Sequence, residues 1–369
     1  MWAVWAVCAG WLSGSARAQA VPSTAIDPPR GDVRLVVLGD FNGPYGSLDY
    51  PPALTRVMAA ITGVWLPDLV VSPGDVIAGQ SRALPDDRFA AMWAAFDETV
   101  AEPLRTIGAP YAVAMGNHDG SSQMSRGEYV FARERQAAVG YWGAHQPELR
   151  YLDRAGYPFD YSFTHAVRGA TTLAATGSST TSELFVVVLD ASSSSVTTDQ
   201  RAWLAAQLSS AAAVDAAARI VVGHLPLVPV SEGRDRPGEY VHEGAALGAL
   251  LAEGAVDLYV SGHHAAYYPG RLGGLELLFA GGIGGRRLLG SSLEPRSTVT
   301  VVDVWLGEEG GRPTFVYTTF DLATMGVVDH SELPAAIGAV VISSRGYAPQ
   351  SLPTAPACAG RERRAARRR

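Results

Sequence analysis

The stretch Tyr111-Ala-Val-Ala-Met-Gly-Asn-His-Asp-Gly120 joins a short apolar run directly to three polar side chains enclosed by two glycines. An apolar run of this length, bounded by proline and glycine, predicts a buried strand. A plain turn does not need a histidine, so Asn117, His118 and Asp119 indicate a functional site. Ligands of α/β proteins gather at the carboxyl ends of strands. The stretch therefore predicts an α/β fold with its site at this end of the sheet.

Other short apolar runs predict further buried strands over 33–38, 69–71, 184–189, 220–222 and 258–260. Polar residues follow them in turn, namely Asp40, Asn42, Asp75, His224, His263 and His264. Taken singly these signals are weak, because Gly-Asp and Asn-Gly are turn formers and a lone histidine is more often structural. Paired histidines after a buried strand favour metal binding. Because these residues all follow strands of the same predicted fold, we expect their metal-binding side chains to lie around one point.

Helical patterns alternate with these strands and predict helices over 52–62, 88–107, 198–209 and 244–253, the third with a threonine at its N-cap. Beyond residue 270 the pattern becomes strand-rich, with strands predicted over 275–280, 298–305 and 313–320. Segments 169–182 and 191–195 consist mostly of small and polar residues, which predicts loops. The resulting domain layout is a signal peptide over 1–20, a linker over 21–32, one domain over 33–325, and a C-terminal extension over 326–369 with a disordered arginine-rich tail.

The first twelve residues are apolar and lead into Ala18-Gln19-Ala20, an A-x-A cleavage pattern. This predicts a secretory signal removed after Ala20, and hence export to the periplasm or the medium. The positively charged start typical of such signals is missing, so a retained amphipathic N-terminus is the alternative. No later apolar segment reaches the length of a membrane span.

The composition excludes several classes of function. The 369 residues include 29 basic side chains, all of them arginine. The absence of lysine rules out Schiff-base catalysis on lysine and the lysine of a P-loop. Residues 21–360 carry 22 arginines and 35 acidic residues, a net charge of −13, which argues against a nucleic-acid partner. The two cysteines, Cys8 and Cys358, stand too far apart in sequence for a cysteine zinc cluster or a disulfide framework.

Taken in order, the polar blocks resemble those of the calcineurin-like metallophosphoesterase superfamily, which are D-x-H, G-D, G-N-H-[DE], G-H and G-H-x-H. Here they read Asp40-Phe-Asn42, Gly74-Asp75, Gly116-Asn-His-Asp119, Gly223-His224 and Gly262-His-His-Ala265. The chain looks like a secreted bacterial branch, distantly similar to purple acid phosphatases. The resemblance implies a four-layer α/β/β/α sandwich of two mixed sheets, with a dinuclear metal site above the sheets.

The resemblance also implies the ligands. One metal would be held by Asp75, Asn117, His224 and His263, with Asp75 shared between two metals. The other family site uses Asp40, Asp75 and two histidines, whose positions here hold Asn42 and Ala265. The first site keeps nitrogen and oxygen donors suited to Zn²⁺, Mn²⁺ or Fe²⁺, whereas the depleted site is all oxygen and suits Mg²⁺, Mn²⁺ or Ca²⁺. Whether His264, one residue out of register, replaces the missing ligand stays open.

The function implied is hydrolysis of a phosphorylated small molecule or another phosphoester by metal-activated water, with one cation firmly bound. The resemblance makes His118 the general acid or a stabiliser of the phosphate oxygens, while Asp119 orients the loop or the imidazole. Arg234 and Arg236, in the loop 233–239, either contact an anionic substrate or belong to a solvated surface loop. The alternative function is a degenerate, catalytically weak or inactive metal-binding member of the same fold.

Overall fold

The computed structural model describes residues 26–173, 179–307 and 311–346. The predicted signal peptide, both cysteines and the arginine-rich tail lie outside the described residues. Within these ranges, no helix is both long enough and apolar enough to cross a membrane.

The strands of the described residues are, in chain order, β1 Val33–Val37, β2 Leu69–Ser72, β3 Tyr111–Val113, β4 Met124–Ser125, β5 Glu128–Tyr129, β6 Arg150–Gly156, β7 Asp160–Leu173, β8 Ser179–Val188, β9 Ala218–Val222, β10 Leu258–Ser261, β11 Tyr268–Leu272, β12 Leu275–Phe279, β13 Thr298–Trp305, β14 Thr314–Asp321, β15 Ala336–Ile337 and β16 Val340–Ile342. The helices are α1 Pro52–Ala60, α2 Asp86–Phe96, α3 Glu102–Thr106, α4 Asn117–Gly120, α5 Ala132–Ala144, α6 Thr198–Leu208, α7 Ala211–Val214 and α8 Gly244–Glu253. Helix α6 begins with the predicted threonine cap, in which the Thr197 side chain accepts a hydrogen bond from the backbone of Gln200.

Two mixed sheets carry the fold. The first has the order β14-β13-β1-β2-β3, with β1, β2 and β3 parallel and β13 and β14 antiparallel. The second has the order β15-β16-β11-β12-β10-β9-β8-β7-β6, with β8, β9, β10 and β12 forming its parallel centre. Parallel strands buried on both faces read as continuous apolar runs, which is why their positions are visible in the sequence.

Alternation along each strand divides the apolar side chains among three cores. In β1, Val33, Leu35 and Val37 face the second sheet and pack there with residues of β8, β9 and β10. Val36 points the other way, into a core shared with α1, α2 and α5. On the far side of the second sheet, a third core packs beneath α6 and α8. The four predicted layers, helices, sheet, sheet and helices, are confirmed.

Two expectations need correction. Residues 169–182, expected to be a loop, lie mostly in β7 and β8, which pair antiparallel as a long hairpin. The threonine-rich sequence there is β-branched, and such residues favour strands. Residue 325, expected to end the domain, is followed by β16, which pairs with β11 and contributes the buried Val340 to the third core. Packing therefore continues through residue 342.

Candidate metal centre

Four of the predicted ligands converge at the carboxyl ends of the parallel strands. Asn117 Oδ1 lies 2.8 Å from His224 Nε2 and 2.7 Å from His263 Nδ1, and His224 Nε2 lies 3.4 Å from Asp75 Oδ1. Three potential ligand atoms, one each from Asp75, His224 and His263, lie within 4.8 Å of one another. All four side chains are buried. The residues that follow β2, β3, β9 and β10 thus meet at one point.

Outer contacts orient each ring and amide toward that point. His224 Nδ1 lies 2.6 Å from the carbonyl oxygen of Pro73, which leaves Nε2 facing the cluster. Asn117 donates its amide group to Gln80 Oε1 at 2.8 Å, so its carbonyl oxygen points inward. His263 Nε2 lies 3.0 Å from Glu239 Oε2. Such outer partners fix the tautomer and direction of metal ligands.

The neutral ring of His263 can offer its Nδ1 lone pair to a cation. Burial lowers the pKa of His263 to about 4, although Glu239 opposes the shift, so the ring is neutral at pH 7 and carries one proton. If Nε2 holds it, the Nδ1 lone pair faces Asn117 Oδ1; if Nδ1 holds it, Nε2 faces the carboxylate of Glu239. With the proton on Nε2, two acceptors oppose each other at Nδ1, and a cation beside Nδ1 would remove that conflict. With the proton on Nδ1, Nε2 can instead accept a hydrogen bond from Arg234 Nη1 at 3.0 Å, so a cation requires the first tautomer.

His224 and Asp75 form a charged pair in the absence of a cation. Burial alone would lower the pKa of His224, but the charge of Asp75 raises it to about 9. Burial alone would raise the pKa of Asp75, but His224 and His118 hold it well below its ordinary value. At neutral pH a proton therefore occupies the His224 Nε2 position that a cation would need.

Cation binding should consequently strengthen as the pH rises. Between pH 6 and pH 8, below the His224 pKa of about 9, we expect the affinity for Mn²⁺ to increase about tenfold per pH unit, with about one proton released per cation. Titration calorimetry in buffers of different ionisation enthalpy measures both quantities. An affinity independent of pH across this range would contradict the assignment of His224.

The carboxylate of Asp119 holds the backbone around Asp75. Its side chain is fully buried, and Oδ2 accepts hydrogen bonds from the backbone N–H groups of Asp75 and Gly116 at 2.7 and 2.8 Å. Oδ1 accepts two more from Val76 and Ile77, both at 2.9 Å. Of the two roles left open by the sequence, it orients the loop that carries Asp75.

Asp119→Asn should therefore destabilise the fold. An amide places an NH₂ group against two backbone donors in a buried site, which we expect to cost about 2–4 kcal/mol of unfolding free energy. Denaturant unfolding measures the loss, with Asp215→Asn at an exposed position as the control, expected to change stability by less than about 0.5 kcal/mol. Equal stability of the two variants would show that the four hydrogen bonds do not hold this loop.

His118 lies at the edge of the cluster. Its Nδ1 lies 3.3 Å from the carbonyl oxygen of Gly79, and its Nε2 lies 4.0 Å from Asp75 Oδ2. The ring stacks on Tyr45 with centroids 5.2 Å apart, and the Tyr45 side chain is exposed. The contacts with Gly79 and Tyr45 fix the orientation of the imidazole ring, and Nε2 faces the cavity.

The other predicted ligands line a cavity of about 360 Å³ beside the cluster, together with Asp75, His118 and His263. Asp40, Asn42 and Ala265 all contribute to its wall. Asp40 Oδ1 accepts a hydrogen bond from His263 N at 2.8 Å, but the buried Oδ2 has no hydrogen-bond partner. Burial raises the pKa of Asp40 well above its ordinary value, and the neighbouring Asp75 adds to the effect. Within the described residues, Asp40 Oδ2 is thus a buried acceptor without a donor.

Backbone strain concentrates at the same residues. Four residues have φ angles in the left-handed region, which residues other than glycine rarely adopt: Asp40 at 50°, Asp75 at 56°, His263 at 63° and Ala265 at 45°. Close packing of the strand ends explains the strain. A Cβ atom added at Gly116 would lie 2.2 Å from the backbone nitrogen of Asp75. Strain of this kind typically persists at functional sites.

His264 does not replace the missing ligand. Its Nδ1 accepts a hydrogen bond from Val230 N at 3.3 Å and its Nε2 lies 3.0 Å from the carbonyl oxygen of Glu239, so the buried ring is held by backbone on both sides. Arg234 lines the cavity and contacts Glu239, whereas Arg236 is exposed and pairs with that same carboxylate. Of the two loop arginines, the structure brings only Arg234 to the site.

Sequence reasoning missed Gln80 and Glu239, which orient Asn117 and His263. Gln80 follows the Asp75 block and has a φ angle of 65°. Glu239 ends the loop in which only the arginines drew attention. Neither residue belongs to a recognisable motif, because both act through another side chain.

A family model described as calcineurin-like phosphoesterase matches residues 33–267. The chain belongs to this family. The match includes every polar block from Asp40 to Ala265 and confirms the resemblance read from them. No curated protein sequence matches the chain.

Solved structures show the same fold. GAP50, the anchor in the inner membrane complex of Plasmodium, is 15% identical with a TM-score of 0.54; the match covers 80% of this chain and 87% of that one. A purple acid phosphatase from yellow lupin seeds is 15% identical with a TM-score of 0.52, over 82% of this chain and 54% of that one. The chain thus spans about half the length of the lupin enzyme.

Calcineurin-like phosphoesterases are generally metal-dependent hydrolases of phosphoesters, and family members bind divalent metals. The donor set here fits such an ion, because two imidazoles, a carboxylate and an amide oxygen suit Zn²⁺, Mn²⁺ or Fe²⁺. The buried, unpartnered oxygen of Asp40 is an independent sign that a cation or a hydrogen-bond donor fits in this cavity.

Proposed function

We propose that the chain hydrolyses phosphoesters with one firmly held divalent cation, Mn²⁺, Zn²⁺, Fe²⁺ or Mg²⁺, and a depleted second metal position. Asp75, Asn117, His224 and His263 would hold the firm cation. Asp40 and Asn42 would be the residual ligands on the depleted side, where Ala265 stands in the place of the family's histidine. The observation that carries the proposal is the convergence of four inward-facing donor atoms in a buried cluster beside an open cavity.

A cation held there would lower the pKa of a bound water and offset charge on the phosphoryl oxygens. The protein's own residues supply the rest. His118, held by Gly79 and Tyr45, would donate a proton from Nε2 to the leaving oxygen. Asp119 keeps Asp75 in place, and Gln80 and Glu239 keep Asn117 and His263 facing inward. The cavity admits a phosphorylated small molecule.

A second candidate function is a catalytically weak or inactive module that keeps the fold and one cation. Asn42 and Ala265 favour it, since both replace histidines of the same family site. His118 favours the enzyme, because a module that only binds has little use for a proton donor facing the cavity.

Hydrolysis assays separate the two candidates. We expect the folded chain to cleave p-nitrophenyl phosphate or bis-p-nitrophenyl phosphate when Mn²⁺, Zn²⁺ or Mg²⁺ is added, and to stop when a chelator removes the metal. The relative rates on the two compounds would show whether monoesters or diesters are preferred. No turnover with any of the three metals would favour the module.

Ala265→His should restore the depleted metal position. Histidine tolerates left-handed backbone better than most residues, and position 265 already has that conformation. We expect the variant to bind two Mn²⁺ per chain where the parent binds one, and to hydrolyse p-nitrophenyl phosphate faster. Elemental analysis after gel filtration gives the stoichiometry, with Ala255→His as the control at an exposed position that also has a positive φ angle. One cation per chain in both variants would show that more than this side chain is missing.

A further inference from the structure

We propose that Arg286 binds a phosphoryl oxygen of the substrate and so supplies the positive charge that a second cation would otherwise bring. The inference rests on the proposed hydrolase function, because it names a group that holds the phosphate in that same site. Three observations carry it: where Arg286 is attached, what it does not pair with, and which charges it faces.

The backbone of the loop 282–286 is fixed across the depleted side of the cavity. Ile283 N donates a hydrogen bond to the carbonyl oxygen of Asp40 at 2.9 Å, and Arg286 N donates one to the carbonyl oxygen of Ala265 at 2.8 Å. Arg286 is therefore anchored on the residue that stands in place of the family's histidine. Its side chain lines the same cavity as Asp40 and Asn42.

The charge of Arg286 is not balanced by a carboxylate, whereas the charge of its neighbour Arg287 is. Within the described ranges, the guanidinium of Arg286 has no hydrogen-bond or ion-pair partner. Arg287 instead pairs with Glu232 at 3.6 Å and with Glu294 at 3.4 Å. A guanidinium presents several N–H donors in a planar fork that matches two oxygens of a phosphate group. An unpaired one beside a cavity is placed to meet an anionic ligand.

The charges across the cavity explain why a cationic side chain is needed there. Asp40 and Asp75 both line its wall, and a cation at the His224 cluster would lie on the Asp75 side. A phosphate bound there would face the carboxyl groups of Asp40 and Asp75, and a guanidinium on the Asp40 side would offer it hydrogen-bond donors. The electrostatic influence of Asp40 reaches Arg286: burial and Arg234 lower the pKa of Arg286, whereas Glu239 and Asp40 raise it.

Arg234 does not play the same part, although it also lines the cavity. Its guanidinium pairs with Glu239 and lies 3.0 Å from His263 Nε2. Its charge is therefore engaged in holding the outer partner of a predicted metal ligand, which leaves Arg286 as the cation directed at the substrate.

Binding of inorganic phosphate to the full chain tests the proposal without requiring turnover. Titration calorimetry in saturating Mn²⁺ should show phosphate affinity about 10- to 100-fold weaker in Arg286→Ala, the loss expected for a hydrogen bond between charged groups. Arg286→Lys should lose less, since it keeps the charge without the fork. Arg287→Ala is the matched control and should stay within about twofold of the parent. The number of Mn²⁺ ions per chain should be the same in all four proteins.

Equal phosphate affinity in Arg286→Ala and Arg287→Ala would overturn the proposal, as would a parent chain that binds no phosphate or binds a second Mn²⁺ as tightly as the first. Failure of the proposed function looks different, because it is a parent without hydrolysis under any metal. The comparison of the two arginine variants still decides the role of Arg286 in that case, since it measures binding alone.

Discussion

Replacement of His224 by alanine is expected to weaken Mn²⁺ binding by more than about 100-fold and to reduce hydrolysis of p-nitrophenyl phosphate below detection. Outer partners of metal ligands already contribute about 10- to 100-fold in affinity, and His224 faces the cluster directly. The side chain is fully buried between Pro73 and Asn117, so no other described histidine takes its position. Calorimetry gives the affinity, and release of p-nitrophenol gives the rate.

The matched control is His242→Ala, which removes an exposed histidine from the loop before α8. It should bind Mn²⁺ and hydrolyse substrate as the parent does. Thermal unfolding separates loss of the site from loss of the fold. Saturating Mn²⁺, at about 100 times its Kd, should stabilise the parent and the control by about 2.7 kcal/mol and leave His224→Ala unchanged. A His224→Ala protein that keeps both affinity and rate would remove His224 from the centre.

His118→Asn should lower kcat by about 100- to 1000-fold for an alkyl phosphate, the range of general acid catalysis, and by less than about tenfold for p-nitrophenyl phosphate. The difference arises because an alkoxide needs a proton as it leaves and a nitrophenolate does not. Asparagine keeps a donor near Gly79 but cannot transfer a proton from the cavity side. Steady-state rates with both substrates, across pH, measure the effect.

His145→Asn is the control, because His145 is exposed at the end of α5, where its ring stacks on Tyr141 and not on the cluster. It should leave both rates unchanged. If His118→Asn slowed the two substrates equally, His118 would stabilise phosphate oxygens and would not act as an acid, which is the other role that the sequence left open.

The layered fold could be predicted because its central strands are buried on both faces. Val33 to Val37 and Leu258 to Ser261 read as apolar runs, and metal-binding residue types follow them directly. Helix α5 was not predicted, since its buried face includes Glu134 and Arg135 and shows no apolar pattern. Arg135 is buried in an ion pair with Asp190 at 2.8 Å, a contact that depends on a strand far along the chain.

The candidate metal ligands could be predicted, but the residues that orient them could not. Asp75 and His224 stand at strand ends within recognisable blocks. Glu239 and Gln80 acquire their roles only when loops from different parts of the chain meet, with separations of 24 residues from His263 and 37 from Asn117. For the same reason, the sequence left open whether Asp119 orients the loop or the imidazole, and the four backbone hydrogen bonds to its carboxylate become visible only in the fold.

The most direct test of the account is anomalous diffraction from crystals soaked with Zn²⁺ and phosphate. We predict one strong peak per chain, within about 2.3 Å of Asp75, Asn117 Oδ1, His224 Nε2 and His263 Nδ1. A peak that touches none of these four side chains would contradict the central claim. So would two equally strong peaks in the same cavity, because the Ala265 side would then hold a cation without its histidine.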